Sequence, residues 1–489
     1  MIAFVYYFSA LGAILAGAMV LPALIAFGAQ ETELGYRILL YSGFAGFLCV
    51  ATFLAVMDRL NGIKRNTAIL LAVFSWVAFP VISAIPISDM TGLSYIDALF
   101  QTMSSFTTSG SYVFKNLETV PNSIIFMLAQ FQWFGGLATL ITLILVLAPW
   151  EIGGLPQVAT ASVAASIVAS HSRLVSFCAS IFRVYLFLTL ICFILLVLAK
   201  VNPFSAMIYS FTALSTGGFT PTLESIDLAL GNAGMIIMAT FLMIGATSIF
   251  WHQYIFQLQF AELKAHRESY FILAIWIGLA FFIAYTLYAA AGAVTAVPDA
   301  TALSEGLFNS ASIISTSGIQ SRPGALSLLP PTLVLIVIFI GGGCYSTSGG
   351  IKFFRIGGMY SLAQYELNRL IYPHVTKPTL FGSTKLNVEF MKAIWSLFAV
   401  LIVTVAIASF ALSLSGLNFH ASFTAVIAAI TNAGPLYGPE WGSGTNANWP
   451  TYADMLMSQK IIITVVMLLG RLEVIAVVAS LSVFIRSLR

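Results

Sequence analysis

The chain has 489 residues, 59% of them hydrophobic and only 8% charged, with a formal net charge of +3. A soluble domain carries roughly 25% charged residues, so the composition excludes a water-soluble globule and makes the lipid bilayer the surrounding solvent. The small positive charge gives no reason to expect a nucleic-acid partner. A spanning helix needs about 20 apolar residues. Runs of that kind occupy residues 4–27, 39–57, 69–87, 124–150, 177–198, 235–256, 271–293, a stretch from 333 onward, 393–414 and 461–485, which predicts ten spans. The first lacks the basic flank and cleavage site of a signal peptide and reads as a membrane helix. Cys49, Cys178, Cys192 and Cys344 lie in or beside these runs without metal-ligand spacing, as small core residues do.

Four shorter apolar runs, 96–106, 204–214, 303–314 and 419–430, are too short to cross a bilayer and predict re-entrant half-helices. Their start signals are Asp97, Asn202 ahead of Pro203, Ser304, and His420 or Ser422. Each run leads into a related tetrapeptide. These are Thr107, Thr108, Ser109, Gly110; Ser215, Thr216, Gly217, Gly218; Ser315, Thr316, Ser317, Gly318; and Thr431, Asn432, Ala433, Gly434. The last glycines are 108, 100 and 116 residues apart, so the chain carries a fourfold repeat of helix, half-helix, loop and helix.

Non-helical backbone at membrane depth is tolerated only inside protein or beside water. Four such loops around one axis form rings of carbonyls, which can replace the hydration shell of a monovalent cation. Glycine reaches backbone angles that other residues avoid, hydroxyls add oxygen ligands, and the negative ends of the half-helix dipoles face the centre. The competing reading is a set of small-residue turns that only allow close helix packing.

Two features lie off the loops. Residues 341–350 place Gly341, Gly342, Gly343, Ser346, Thr347, Ser348, Gly349 and Gly350 inside a spanning run. Each glycine costs about 1 kcal/mol relative to alanine in a helix, so the span is expected to break. The break is either an intramembrane gating loop below the filter or a kink for tight packing. Arg471 sits within the last apolar run. A central charge carries an insertion cost of about 2.5–3.5 kcal/mol. At about 6 Å and an effective dielectric of 20, it repels a cation by roughly 3 kcal/mol. Arg471 is thus a candidate gate, the alternative being structural glue to Glu473 or to carbonyls. Residues two apart do not face each other on a helix, which argues against a Glu473 pair.

Loops on the side of the tetrapeptides hold Arg37, Lys115, Lys200, Arg322 and Lys460. They also hold eleven acids: Glu31, Glu33, Asp89, Asp97, Glu118, Glu224, Asp227, Asp299, Glu305, Glu440 and Asp454. The remaining basic residues, among them Arg59, Lys64, Arg65, Lys264, Arg267, Lys352, Arg355, Arg369, Lys377 and Lys385, fall on or near the other side. The positive-inside rule puts the filter outward and both termini in the cytoplasm. The outer acids are expected to concentrate cations. Segments 262–268 and 352–392 offer either a regulatory docking face or solvated, lipid-facing charge.

The four loops, "GGGCYSTSGGIKFFR" (residues 341–355) and "GRLE" (470–473) resemble the TrkH/KtrB/HKT superfamily of cation transporters. Two helices ahead of the first repeat and "YELNRLIYPHVTKP" (365–378) are more similar to its TrkH branch. The fold this implies is an all-α polytopic membrane protein, with four pseudo-symmetric helix–P-loop–helix repeats around one pore, preceded by two extra transmembrane helices. Its expected units are 1–66 for the two N-terminal helices, then repeats at 67–176, 177–269, 270–388 with the gating loop, and 389–489. The resemblance also implies potassium (K+) uptake by a multi-pass homodimer in the bacterial inner membrane. A cytoplasmic TrkA-type ring that binds nucleotides would regulate it, with no organic cofactor on this chain. In plant relatives a serine at the first filter glycine accompanies sodium preference, and Gly110 is intact here. A potential-driven pore competes with a secondary active symporter coupled to sodium or protons, for which Glu473 is the central carboxylate. No catalytic motif supports an enzyme.

Overall fold

Lipid offers the backbone no hydrogen-bond partner, so a spanning chain must satisfy its own amides, and helices do so locally. The computed structural model describes residues 2–59, 65–148, 154–155, 171–222, 224–291, 299–371, 380–381, 384–385, 388–438 and 449–474. Eight described helices are long and apolar enough to cross a membrane: Ile2–Gly28, Thr32–Val56, Asn66–Thr91, Asn122–Leu147, Ser172–Leu198, Ile226–Ala246, Arg267–Ala289 and Phe390–Leu414. The expected span from 333 onward is the short helix Pro331–Ile340, a break, and then Phe353–Ile371. The last span is described as Met457–Leu472. Residues 475–485 of that expected run, with Lys64, Lys377 and Glu440, lie outside the described residues. A hairpin of two-residue strands, Leu380–Phe381 against Thr384–Lys385, is the one strand pairing among the described residues.

The expected span 235–256 needs correction. Its helix runs from Ile226 to Ala246, is kinked at Gly231, and stops before Ser248, where the separate helix Ile249–Phe256 begins. The break has a local cause. The Ile249 N–H donates to the Tyr345 carbonyl at 3.0 Å instead of to its own helix.

The four half-helices are Tyr95–Phe106, Pro203–Ser215, Asp299–Ile314 and Phe419–Ile430. Ser94, Asn202 and Asn418 cap three of them by accepting the amides of Asp97, Phe204 and Ala421. Asn202 is therefore a start signal as expected, and Asp97 is the first-turn acid of its helix, its carboxylate accepting the Ser94 hydroxyl at 2.8 Å, whereas Ser304, His420 and Ser422 lie within their helices. Each half-helix packs between the helix before it and the one after it. The first also meets the second helix of the fourth unit, and analogous contacts join units one to two, two to three and three to four. The four units therefore close into a ring.

Close approach is secured by glycines on the following helices. A methyl on Gly135 would lie 1.9 Å from the Phe106 carbonyl oxygen, and one on Gly470 would lie 2.1 Å from that of Ile430. The first and fourth half-helices thus end against bare backbone of their partners.

Candidate ion-conduction pathway

All sixteen tetrapeptide residues are buried, and the half-helix ends bring them together. A methyl on Gly110 would sit 2.2 Å from Gly218 Cα. On Gly218 it would lie 3.0 Å from the Ser317 oxygen, on Gly318 2.9 Å from that of Ala433, and on Gly434 2.8 Å from that of Ser109. The loops therefore touch in the order one, two, three, four and back to one. Four packing turns scattered through a bundle do not produce this closed ring.

The loops share one backbone motif. The second residue of each tetrapeptide has positive φ: 57° at Thr108, 50° at Thr216, 62° at Thr316 and 56° at Asn432. Their N–H groups bond back to Ser105, Ala213, Ile313 and Ala429 carbonyls, and the next residues bond to Ser104, Thr212, Ser312 and Ala428 carbonyls. This is a left-handed helix ending that usually takes glycine. A β-branched residue held there stores about 1–3 kcal/mol, and such strain gathers at functional sites. The sequence reading gave positive φ to the glycines. That holds for Gly110 and Gly318, whereas Gly218 and Gly434 lie outside that region.

The threonine position has a use. Thr316 Oγ1 accepts the Gly349 N–H at 2.6 Å, and Thr216 Oγ1 lies 3.3 Å from Thr347 Oγ1. A second device braces the loops from behind. Ser104 Oγ accepts from the Ser111 amide and donates to its carbonyl, Thr212 Oγ1 donates to the Phe219 carbonyl, and Ser312 Oγ donates to that of Ile319. Tyr112 adds a strut between loops, its hydroxyl bonding the Thr220 carbonyl at 2.8 Å and pairing with the Thr220 amide. Sequence reasoning missed these braces, although a hydroxyl seven residues before each bonded carbonyl was visible.

Residues 341–350 are non-helical and lie against the inner end of the ring. Thr347 Oγ1 donates to the Leu214 and Gly245 carbonyls, both at 2.9 Å, and a methyl on Gly349 would lie 1.8 Å from the Thr431 oxygen. The Thr347 carbonyl accepts Arg471 Nη1 at 2.8 Å. Arg471 is 5% exposed, and its Nε and Nη2 have no partner among the described residues. The feet of the loop are stapled together: the amides of Ile351, Lys352 and Phe353 donate to the carbonyls of Phe339, Ile340 and Gly342.

Charges that sequence reasoning assigned elsewhere secure this loop. Glu268 Oε1 accepts the amides of Cys344 at 2.9 Å and Phe354 at 3.1 Å, and so pins the loop at both ends. Lys352 is buried, its ammonium bonding Ser346 Oγ and the Ser348 carbonyl. Arg355 (1% exposed) pairs with Glu473 (9% exposed) at 2.7 Å. Lys352 and Arg355 therefore leave the expected docking face of 352–392, because burial next to acceptors holds them in the interior. Glu473 pairs with Arg355 and not with Arg471, as the helical spacing predicts.

On the opposite side, most outer charges are paired. Arg37 lies near Glu33 and Asp89, Lys115 binds Asp454 at 2.6 Å, Arg322 binds Glu305 and Lys460 binds Asp97. The hydrogen bond from Lys115 holds the Asp454 carboxyl below its usual range. Glu31, Glu118, Glu224 and Asp227 make no ion pair among the described residues, so the pairing leaves the net acid surplus of that side unchanged and concentrates it on these unpaired acids.

Four half-helices meeting in a closed ring of polar loops, with a non-helical segment packed beneath, define a polytopic membrane protein of the re-entrant-loop class. The chain belongs to the TrkH family: the family model described as "TrkH: Cation transport protein" matches residues 40–487. Relatives include the Trk system potassium uptake protein TrkH of Vibrio parahaemolyticus, 28% identical over 89% of this chain and 91% of that protein. The Escherichia coli K12 protein of the same name is 26% identical over 94% and 93%, and TrkG of that strain is 25% identical over 90% of each chain. The crystal structure of the potassium transporter TrkH from Vibrio parahaemolyticus has a similar fold, with a TM-score of 0.83, 24% identity and 98% of each chain covered.

Proposed function

We propose that this chain forms a gated, potential-driven pore for potassium uptake across the bacterial inner membrane. The four loops act as the filter and residues 341–350 as the closed gate. The observation that carries the reading is the seating of the glycine-rich segment, with Thr347 bonded to Thr216 and the Leu214 carbonyl at loop two and Gly349 to Thr316 of loop three. A conducting path cannot continue past a segment held there, so opening requires that segment to move. The Trk potassium uptake relatives support the choice of ion and of a transporter over an enzyme.

The expected repeat boundaries at 67, 177, 270 and 389 belong to this reading. So do the homodimer, the cytoplasmic termini and a TrkA-type nucleotide-binding ring. For that ring the exposed helix Phe260–Ala265 and the exposed side of Phe353–Ile371 remain available. The symporter alternative loses its main support, because Glu473 is neutralised by Arg355.

The test is rubidium uptake into proteoliposomes holding the purified chain, with potassium and sodium as competitors and an imposed potential. A variant with residues 343–349 shortened should leak faster than the parent. Equal competition by sodium would refute the potassium assignment, and unchanged flux in the shortened variant would refute the gate.

A further inference from the structure

The fourth loop is built differently from the other three. At the brace position, where units one to three carry Ser104, Thr212 and Ser312, unit four carries Ala428, and the residue seven positions on is Pro435. Neither can make the hydroxyl-to-amide bond found at Ser104 and Ser111. Instead, Gly434–Leu436 coils into a 3-10 turn. That turn bonds the Gly434 carbonyl, whose counterparts in the other three loops accept nothing among the described residues. The Ala433 carbonyl accepts the Leu436 amide at 3.0 Å, and the Gly434 carbonyl accepts the Tyr437 amide at 3.1 Å. Tyr452 Oη donates to the same Gly434 oxygen at 3.1 Å, and the Gly434 amide donates to the Ser109 carbonyl at 2.7 Å. By contrast, the carbonyls of Gly110, Gly218 and Gly318 receive no protein donor among the described residues. Pro435 also reaches the loop diagonally opposite, since a methyl on Gly218 would lie 2.3 Å from its Cγ.

We infer that the outermost level of the filter is three-walled, with Pro435 and Tyr452 as its specificity-determining and positioning residues. This rests on the reading of the loops as a cation filter. Carbonyls from units one to three face the ion at the outermost level, while unit four presents a proline ring. The Tyr437 amide and the Tyr452 hydroxyl together keep the Gly434 carbonyl turned into the protein. The Tyr452 ring is fixed against Tyr437 and Phe100, with centroids 5.0 and 5.4 Å away. The ligand affected is a partly dehydrated monovalent cation, for which one oxygen fewer weakens the preference for potassium over the more strongly hydrated sodium.

The experiment compares the full-length parent, Tyr452→Phe, and the double variant Ala428→Ser/Pro435→Ser, which gives loop four the chemistry of loop one. Rubidium uptake into proteoliposomes is titrated with potassium and with sodium, and the ratio of the two inhibition constants is read. Freeing one carbonyl of hydrogen-bond strength should raise that ratio about two- to tenfold in the double variant, and in the same direction but less in Tyr452→Phe. A purely structural tyrosine would lower uptake of every cation together and leave the ratio fixed. An unchanged ratio in folded, conducting variants overturns the inference. If the double variant fails to elute as folded protein, the single variant Pro435→Ser, read beside Tyr452→Phe, decides. A parent that passes no cation even with residues 343–349 shortened overturns the filter reading and this inference with it, whereas a conducting parent with unchanged variant ratios overturns this inference alone.

Discussion

Replacing Arg471 by alanine isolates one contact of the proposed gate. Its Nη1 donates to the Thr347 carbonyl at 2.8 Å. A hydrogen bond from a charged donor contributes about 1.5–3 kcal/mol net. Removing it from the closed state alone should raise the open-to-closed ratio roughly ten- to 150-fold, at 1.4 kcal/mol per factor of ten. Because two of its nitrogens are buried without partners, deletion also relieves a desolvation cost, so the variant should fold at least as stably as the parent. The measurement is single-channel open probability in planar bilayers, paired with rubidium uptake and a thermal-stability scan of the detergent-solubilised protein. A stable variant with unchanged or lower open probability would refute the reasoning, since the contact would then not hold the gate shut.

Three other substitutions probe the same assembly. Glu268→Gln keeps one acceptor oxygen for the Cys344 and Phe354 amides but removes its charge, and should weaken the pin by about 1–2 kcal/mol; the check is an increase in basal rubidium leak without loss of folded protein. Glu473→Gln leaves Arg355 buried without its counter-charge, a loss typically of about 3–5 kcal/mol, which thermal melting in detergent should reveal and which Arg355→Met/Glu473→Met should largely restore. Gly470→Ala would put a methyl 2.1 Å from the Ile430 oxygen, so the fourth half-helix must shift; the expected result is lost uptake, while normal flux and melting would show the packing to be softer than described.

The sequence displays the fold because its signals are local. Apolar length marks the spans, short apolar runs mark the half-helices, and the tetrapeptides recur at nearly even intervals. The glycine run at 341–350 likewise marks where a helix must break. What holds that break in place was hidden, because Glu268 reaches Cys344 across 76 positions and Arg355 reaches Glu473 across 118. A charge tally sorts such residues by loop and cannot register that burial pairs them. The positive φ at Thr108, Thr216 and Thr316 was hidden for another reason: threonine disfavours that conformation, so propensity points to the glycine two residues on. Only the surrounding packing overrides it.

The stapled feet of the glycine-rich segment constrain how it can move. Bonds from Ile351, Lys352 and Phe353 back to Phe339, Ile340 and Gly342 tie its two ends into one short ladder. Unravelling is therefore the costly route, and rotation of the segment as one body about that ladder is the cheaper one. The helix Phe353–Ile371 extends directly from this pivot for 19 residues, about 28 Å at 1.5 Å per residue. If residues 341–350 gate the path as proposed, that helix is a lever arm on the same fulcrum, and a small angular push at its far end would reach Thr347 as torque.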